Sequence, residues 1–134
     1  MAGIGETAST WAPRILSVLR IVTGLLFIEH GTMKFFNFPP SDMFADLQIL
    51  SLFGIQGILE LVGGALIILG LFTRPAAFIL SGDMAAAYFI AHMPNSFFPA
   101  INQGDAAILF CFIFLYFAFA GAGPWSVDAA RGKA

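Results

Sequence analysis

The sequence predicts an all-α integral membrane protein, a bundle of four spanning helices with a short interfacial helix between the first two spans. Three observations lead to this fold class: 59% of the residues are hydrophobic, only 10% are charged, and the mean hydropathy is +0.88. An average soluble domain has about 25% charged residues. The chain of 134 residues allows about four spans of ~20 residues and no separate soluble catalytic domain. We therefore expect residues 1–134 to form a single membrane domain.

Charge and cysteine content narrow the function classes. A net charge of −2 without a run of Lys or Arg argues against a nucleic-acid partner. The single cysteine, Cys111, excludes an intrachain disulfide, a CxxC redox pair and a cysteine-cage metal site. Residues 1–14 lack the pattern of a removable signal peptide, so the first hydrophobic segment is expected to stay in the mature protein.

The first two spans are predicted from their prolines, glycines and capping residues. Span one is placed at about residues 13–36, with Pro13 in its first turn and Asn37-Phe38-Pro39-Pro40 as its stop. Ser41 is predicted to cap an interfacial helix that ends at Gln48. Span two is placed at about residues 49–72, and its glycines should let it pack closely against a partner helix.

Two further spans follow. The segment Thr73-Arg74-Pro75 is predicted to be a minimal turn, which makes spans two and three antiparallel neighbours. Span three is placed at about residues 76–93 and ends at Pro94, and a loop then leads to span four at about residues 104–121. The many Phe side chains of span four are expected to face lipid over much of its surface.

Basic residues predict the orientation of these spans. Four of them lie at the chain ends and in the second loop, whereas the opposite loops offer only Lys34. The four are Arg14, Arg74, Arg131 and Lys133. The positive-inside rule therefore places both termini in the cytoplasm.

Ionisable residues inside the spans are the candidate functional residues, because such groups are costly in a bilayer and usually face the bundle interior. At 1.5 Å per residue, His30 lies about 24 Å from Arg14 along span one, and His92 lies about 27 Å from Arg74 along span three. These similar depths predict a cluster in the outer half, towards which Gln56 and Glu60 of span two reach. The members of this outer cluster are Glu29, His30, Lys34, His92 and Asp105.

The outer cluster has three interpretations. Its histidines and carboxylates are metal-ligand types, but a tight spacing such as HExxH is missing, so we predict no metal site. A histidine beside carboxylates in an aromatic pocket suits a quinone headgroup and its proton, because histidine titrates near neutrality. The plainer alternative is that these groups satisfy one another and fix the helix register.

A second polar pair is predicted in the inner half. Arg20 lies about 9 Å from the inner end of span one, and Asp83 lies about 13 Å from the inner end of span three. We predict an Arg20–Asp83 ion pair with a mainly structural role, because an unpaired charge is costly in low dielectric. Glu60 is an alternative partner for the arginine.

Several segments, in this order and spacing, resemble those of one family. They are GLLFIEHGTMKFF after Arg20, ELVGGALIILGLFTRPAA from Glu60, GDMAAAYFIAH from Gly82 and GAGPWSVD from Gly121. Over about residues 13–128 the chain resembles the DoxX family of small four-helix bacterial membrane proteins. Asp105 departs from the family pattern, which more often has Glu. The resemblance gives weight to Arg20, His30, Gly31, Lys34, Glu60, Gly63, Gly64, Gly70, Arg74, Ser126 and Asp128.

The DoxX family takes its name from a membrane component associated with thiosulfate:quinone oxidoreductase. The resemblance implies a redox-associated subunit of the bacterial inner membrane, linked to a quinone oxidoreductase. In this reading His30 exchanges protons, Glu29 and Glu60 orient or relay, and Lys34 neutralises a bound anion. Gln56, His92 and Asp105 complete the ligand-binding set, and the expected partners are lipid, other membrane or redox subunits, or further copies of the chain.

Two other functions stay open at the level of sequence. The first is a non-catalytic structural or assembly subunit, which docks in a larger membrane complex through its glycine-rich second span and Phe-rich fourth span. The second is a transporter for protons or small molecules, which a chain of 134 residues forms only by assembling several copies.

Overall fold

A computed structural model describes residues 3–133, and these residues form helices and connections without a strand. The α-helices are α1 Ile4–Phe36, α2 Leu52–Leu69, α3 Thr73–Ala87, α4 Pro99–Asn102, α5 Asp105–Ala120 and α6 Val127–Ala130. A π-helix, Tyr88–His92, and a 3₁₀ turn, Met93–Asn95, continue α3. Within the described part of the chain, three helical segments are long and apolar enough to cross a membrane: Ile4–Phe36, Leu52–Leu69 and Thr73–Asn95. The predicted all-α membrane fold is confirmed.

The bundle is built from two closely packed helix pairs. The most extensive contacts join α1 to α2 and α3 to α5, and a smaller contact joins α2 to α3. Phe27 of α1 links the two pairs, because its ring packs edge-to-face on Phe114 of α5 with 4.9 Å between centroids. On α5, Phe114 and Phe117 are fully buried, while Phe112 and Phe119 are exposed. The Phe-rich helix thus supplies both core and outer surface.

The first helix begins earlier than predicted. It starts at Ile4, so Pro13 lies inside it rather than in its first turn. The helix continues before the proline because its neighbours keep local hydrogen bonds, such as Thr7 N–H to Gly3 O at 3.0 Å and Thr10 Oγ1 to Glu6 O at 3.0 Å. The predicted stop at residue 37 agrees with the structure, where Asn37 adopts a left-handed conformation.

The predicted short helix capped by Ser41 is present between the first two long helices, but it is shorter than predicted and does not reach Gln48. It is a 3₁₀ turn, Asp42–Phe44, and Ser41 Oγ accepts the Met43 N–H at its start. The second long helix is also shorter than residues 49–72. Ser51 caps its first turn by accepting the Gly54 N–H at 3.1 Å, and Gly70 ends it with φ of 67°, a conformation that glycine adopts without strain.

The turn between α2 and α3 comes before the predicted Thr73-Arg74-Pro75. Residues 70–72 reverse the chain, and Thr73 already belongs to α3. Pro75 therefore sits in the first helical turn, where its missing N–H removes no helical hydrogen bond. At the other end of the bundle, the helical segment runs to Asn95 instead of ending at residue 93. The last long helix, Asp105–Ala120, agrees with the predicted residues 104–121.

Candidate functional site

The backbones of α1 and α2 approach closely beside Lys34. A Cβ atom at Gly31 would lie only 3.0 Å from the carbonyl oxygen of Gly57. A Cβ atom at Gly57 would lie 3.1 Å from Cδ of Lys34. The two glycines therefore bring the helices together and leave space for the alkyl chain of Lys34 between them.

Lys34 and Glu60 form a buried salt bridge between α1 and α2. The Lys34 ammonium donates to Glu60 Oε1, and the two side chains are 5% and 4% exposed. It also donates to Gln56 Oε1 at 3.3 Å. A lysine near a helix end usually extends its ammonium to the membrane interface, but helical side chains lean towards the N-terminus of their helix. Here that lean directs the charge into the bundle.

A second carboxylate, Asp83 of α3, belongs to the same region. It is half-buried and lies within electrostatic range of Lys34 and Glu60. Its Oδ2 atom is buried and receives no hydrogen bond from residues 3–133. By helical rise, Glu60 and Asp83 lie about 13 and 15 Å from the ends of their helices at residues 69 and 73, so their depths match. The site thus sets two carboxylates against one ammonium.

The predicted Arg20–Asp83 ion pair is wrong. The buried guanidinium donates to backbone carbonyls, from Nε to Ile67 O at 2.9 Å and from Nη2 to Trp125 O at 2.7 Å. Another donor, Nη1, binds Ala122 O. The alternative partner, Glu60, is taken by Lys34. The physical reason is that the C-terminus of α2 presents carbonyls without helical partners and the negative end of its dipole.

The segment after α5 is held to the same end of the bundle by Asp128. Its carboxylate accepts the N–H groups of Phe72 at 2.9 Å and Thr73 at 3.0 Å, which caps the start of α3. Burial alone would raise the pKa of the Asp128 carboxyl, but these hydrogen bonds and the nearby Arg131 outweigh it and hold the pKa below its ordinary value. Asp128 therefore attaches the C-terminal segment to the start of α3.

A groove opens beside the salt bridge. It has a volume of about 440 Å³ and is lined by residues 33–37 and by Ser41, Asp42, Phe44 and Ala45. Lys34 belongs to both features, because it lines the groove and forms the salt bridge. Its Nζ lies 5.5 Å from the centroid of the Phe44 ring, which also lines the groove. Sequence patterns do not predict this groove, because it is formed by the way the connection after α1 folds back beside residues 33–37.

The other predicted cluster members share no hydrogen bond or ion pair with Lys34 or Glu60 within the described residues. Glu29 and Asp105 are exposed. His30 is half-buried, and its ring lies edge-on to Phe110 with 6.4 Å between centroids. His92 belongs to a separate polar network, in which its Nδ1 is 3.0 Å from Asn102 O. No three His, Cys, Asp or Glu side chains of residues 3–133 are grouped to hold a metal ion.

The fold and this site define a small helical membrane protein with a charge pair buried between its first two long helices. The chain belongs to the DoxX family, whose model matches residues 15–93. That range includes Lys34, Glu60 and Asp83, and it confirms the resemblance seen in the sequence.

Two relatives extend the comparison over nearly the whole chain. An uncharacterized protein from Haemophilus influenzae is 47% identical over 126 residues, which cover 88% of this chain and 91% of the relative. An uncharacterized membrane protein from Mycobacterium tuberculosis is 30% identical over 166 aligned residues, covering 99% of this chain and 95% of the relative. No solved structure matches the chain.

Proposed function

We propose that this DoxX protein is a redox-associated subunit that binds a quinone headgroup beside Lys34 and exchanges protons with it. The observation that carries the proposal is the double role of Lys34, which borders the open groove and is paired with the buried Glu60. A headgroup in the groove would meet a cation that is connected directly to a carboxylate inside the bundle.

The chemistry of quinone reduction fits this arrangement. Reduction to quinol adds two electrons and two protons to the quinone oxygens. In this proposal the Lys34 ammonium, which binds Glu60 and Gln56 in the structure, turns one N–H towards a quinone oxygen. Glu60 replaces a proton that is given to the quinone on reduction, or takes up a proton that is released when quinol is oxidised. Phe44 offers an aromatic wall for the ring. The electrons come from a redox centre in a partner protein.

The remaining predicted site residues have subsidiary roles in this proposal. His30 lies one helical turn before Lys34 on α1 and is the second proton-exchanging group of the proposal, since an imidazole can both bind and release a proton. Glu29 and Gln56 orient the proton-exchanging groups or relay protons to them. His92 and Asp105 contribute at the outer rim.

We further propose that the protein lies in the bacterial inner membrane with both termini in the cytoplasm. The basic residues support this orientation, because those outside the buried sites collect at the end of the bundle opposite the groove. They are Arg14, Arg74, Arg131 and Lys133. The groove then opens towards the outer side of the membrane.

The proposal is tested by purifying the full chain with its native lipids and measuring extracted quinone. We expect quinone to co-purify with the wild type, to fall in His30→Ala and to be lost in Lys34→Met/Glu60→Leu, which removes both charges together. Glu6→Gln, at an exposed position of α1, is the matched control and should retain quinone. Absence of quinone from the wild type overturns the proposal.

The non-catalytic alternative makes a different prediction. A structural or assembly subunit co-purifies with stoichiometric membrane or redox proteins, and that association survives the loss of His30 and His92. Such partners together with no bound quinone would favour the alternative.

A further inference from the structure

A second groove lies on the outer surface between the first half of α1 and α5. It has a volume of about 400 Å³, and its α1 wall carries apolar side chains from Ala8 to Leu19, including Trp11 and Ile15. Tyr116 of α5 forms the opposite wall. The groove lies at the end of the bundle that contains Arg20, away from the Lys34 site.

The length of this groove matches one leaflet of a bilayer. The α1 residues that line it extend over 8–19, which corresponds to about 16 Å of helix. The hydrocarbon core of a bilayer is ~30 Å thick, so one leaflet is ~15 Å deep. The part of the groove from Trp11 to Leu19 covers about 12 Å of that depth. An apolar groove of this length on a membrane-facing surface fits an acyl chain.

A cation without an acidic partner lies beside the groove, against the lining residue Trp11. The Arg14 guanidinium lies over the ring of Trp11, 4.7 Å from its centroid, and it forms no salt bridge within residues 3–133. Arginine binds phosphate through paired N–H donors. Trp and Tyr side chains prefer the headgroup level of a membrane, and Trp11 and Tyr116 both line this groove.

We infer that this groove is a binding site for an acidic phospholipid, with an acyl chain along α1 and the headgroup phosphate on Arg14. Zwitterionic lipids offer the same acyl chains, so the apolar wall alone does not distinguish them. The unpaired charge of Arg14 distinguishes the two lipid classes, because it attracts a headgroup with net negative charge more strongly than a zwitterionic one. This site is independent of the proposed quinone site.

The test uses fluorescence quenching of Trp11 by brominated lipids. The chain has two tryptophans, and Trp125→Phe leaves Trp11 as the reporter. This substitution keeps the backbone carbonyl of residue 125 that Arg20 binds. The full-length variant is reconstituted in phosphatidylcholine vesicles that contain either brominated phosphatidylglycerol or brominated phosphatidylcholine at the same low mole fraction.

We expect brominated phosphatidylglycerol to be enriched at Trp11 by about fivefold over brominated phosphatidylcholine, the effect of one arginine near an anionic headgroup. Adding Arg14→Gln should reduce this ratio to near unity. Arg131→Gln is the matched control, because Arg131 also lies over an aromatic ring, that of Phe72 at 5.1 Å, but not in the groove. Equal quenching in the parent, or a preference that persists in Arg14→Gln, would overturn the inference.

Discussion

Lys34 of α1 and Glu60 of α2 form a salt bridge that is almost completely buried in the bundle. At the other end of the same helix pair, Arg20 of α1 binds the carbonyl oxygens at the C-terminus of α2. One cationic side chain therefore fastens α1 to α2 at each end, with a carboxylate as partner in one case and the peptide backbone in the other. Only the first arrangement leaves a titratable acceptor.

Breaking the Lys34–Glu60 pair from one side should be much more damaging than removing both charges. We expect Lys34→Met or Glu60→Leu alone to lower the free energy of unfolding by roughly 3–5 kcal/mol, because each leaves an uncompensated buried charge. Lys34→Met/Glu60→Leu should recover most of that loss. Denaturant unfolding in detergent measures all three variants, and a double variant as unstable as the sum of the single ones would contradict this account of the pair.

The independence of Arg20 from Asp83 can be tested by a double-mutant cycle. Arg20→Lys should destabilise the protein by about 1–3 kcal/mol, because lysine does not reproduce the fork of N–H groups that binds several carbonyls. Since the two residues share no bond in the described structure, the effects of Arg20→Lys and Asp83→Asn should add within about 0.5 kcal/mol. A larger coupling energy, measured by the same unfolding assay, would show that Arg20 and Asp83 interact and would contradict this account.

Asp128 should make the attachment of the C-terminal segment sensitive to acid. Its folded-state pKa is depressed below the ordinary value of 3.8, so its stabilising effect is complete above that pH and is lost as the pH falls through the folded pKa. Asp128→Asn should lower stability at neutral pH by about 1 kcal/mol, the usual effect of losing a helix cap, and show a smaller further loss in acid.

Thermal unfolding followed by tryptophan fluorescence over a series of pH values checks this expectation. Asp46→Asn, at an exposed position of the connection before α2, serves as the control and should keep the acid-dependent loss. An Asp128→Asn variant with the same pH profile as the wild type would show that the cap has no such role.

Two glycine substitutions separate close packing from helix propensity. Gly31→Ala should destabilise the chain, because the new Cβ would lie 3.0 Å from Gly57 O and 2.8 Å from Cγ of Leu61. Gly82→Ala meets nothing within 4 Å and should be neutral or slightly stabilising, since alanine is favoured in helices by about 1 kcal/mol. Comparing their melting temperatures in one detergent isolates the packing effect, and equal behaviour would argue against close contact at Gly31.

The fold was largely predictable because its signals are local. Composition defines the membrane class, and proline, serine and glycine mark several helix ends, such as the cap at Ser51 and the end at Gly70. The start of α1 is the exception: Pro13 predicts a first helical turn, whereas α1 begins at Ile4 and continues through the proline. Hydropathy shows where a helix is apolar, but it does not show how far the helix extends beyond the bilayer.

The site was only partly predictable because depth along a helix does not specify which face a residue occupies. Depth brought Lys34, Gln56 and Glu60 into one predicted cluster, and the structure joins these three. Asp83 was assigned to Arg20 at a similar depth, whereas the backbone carbonyls of α2 satisfy that arginine. Every residue has a backbone carbonyl, so the sequence does not mark the carbonyls at helix ends as partners for a buried arginine. A search among charged side chains therefore assigns such an arginine to the wrong partner.

The most direct measurement of the central claim is a redox-induced infrared difference spectrum of the reconstituted protein with quinone, in which an electrode supplies the electrons. If Glu60 exchanges a proton with the bound headgroup, quinone reduction should change a carboxylic-acid carbonyl band. That change should disappear in Glu60→Gln and persist in Glu6→Gln. A spectrum without a carboxyl change, or one that is the same in Glu60→Gln, would contradict proton exchange at the Lys34–Glu60 site.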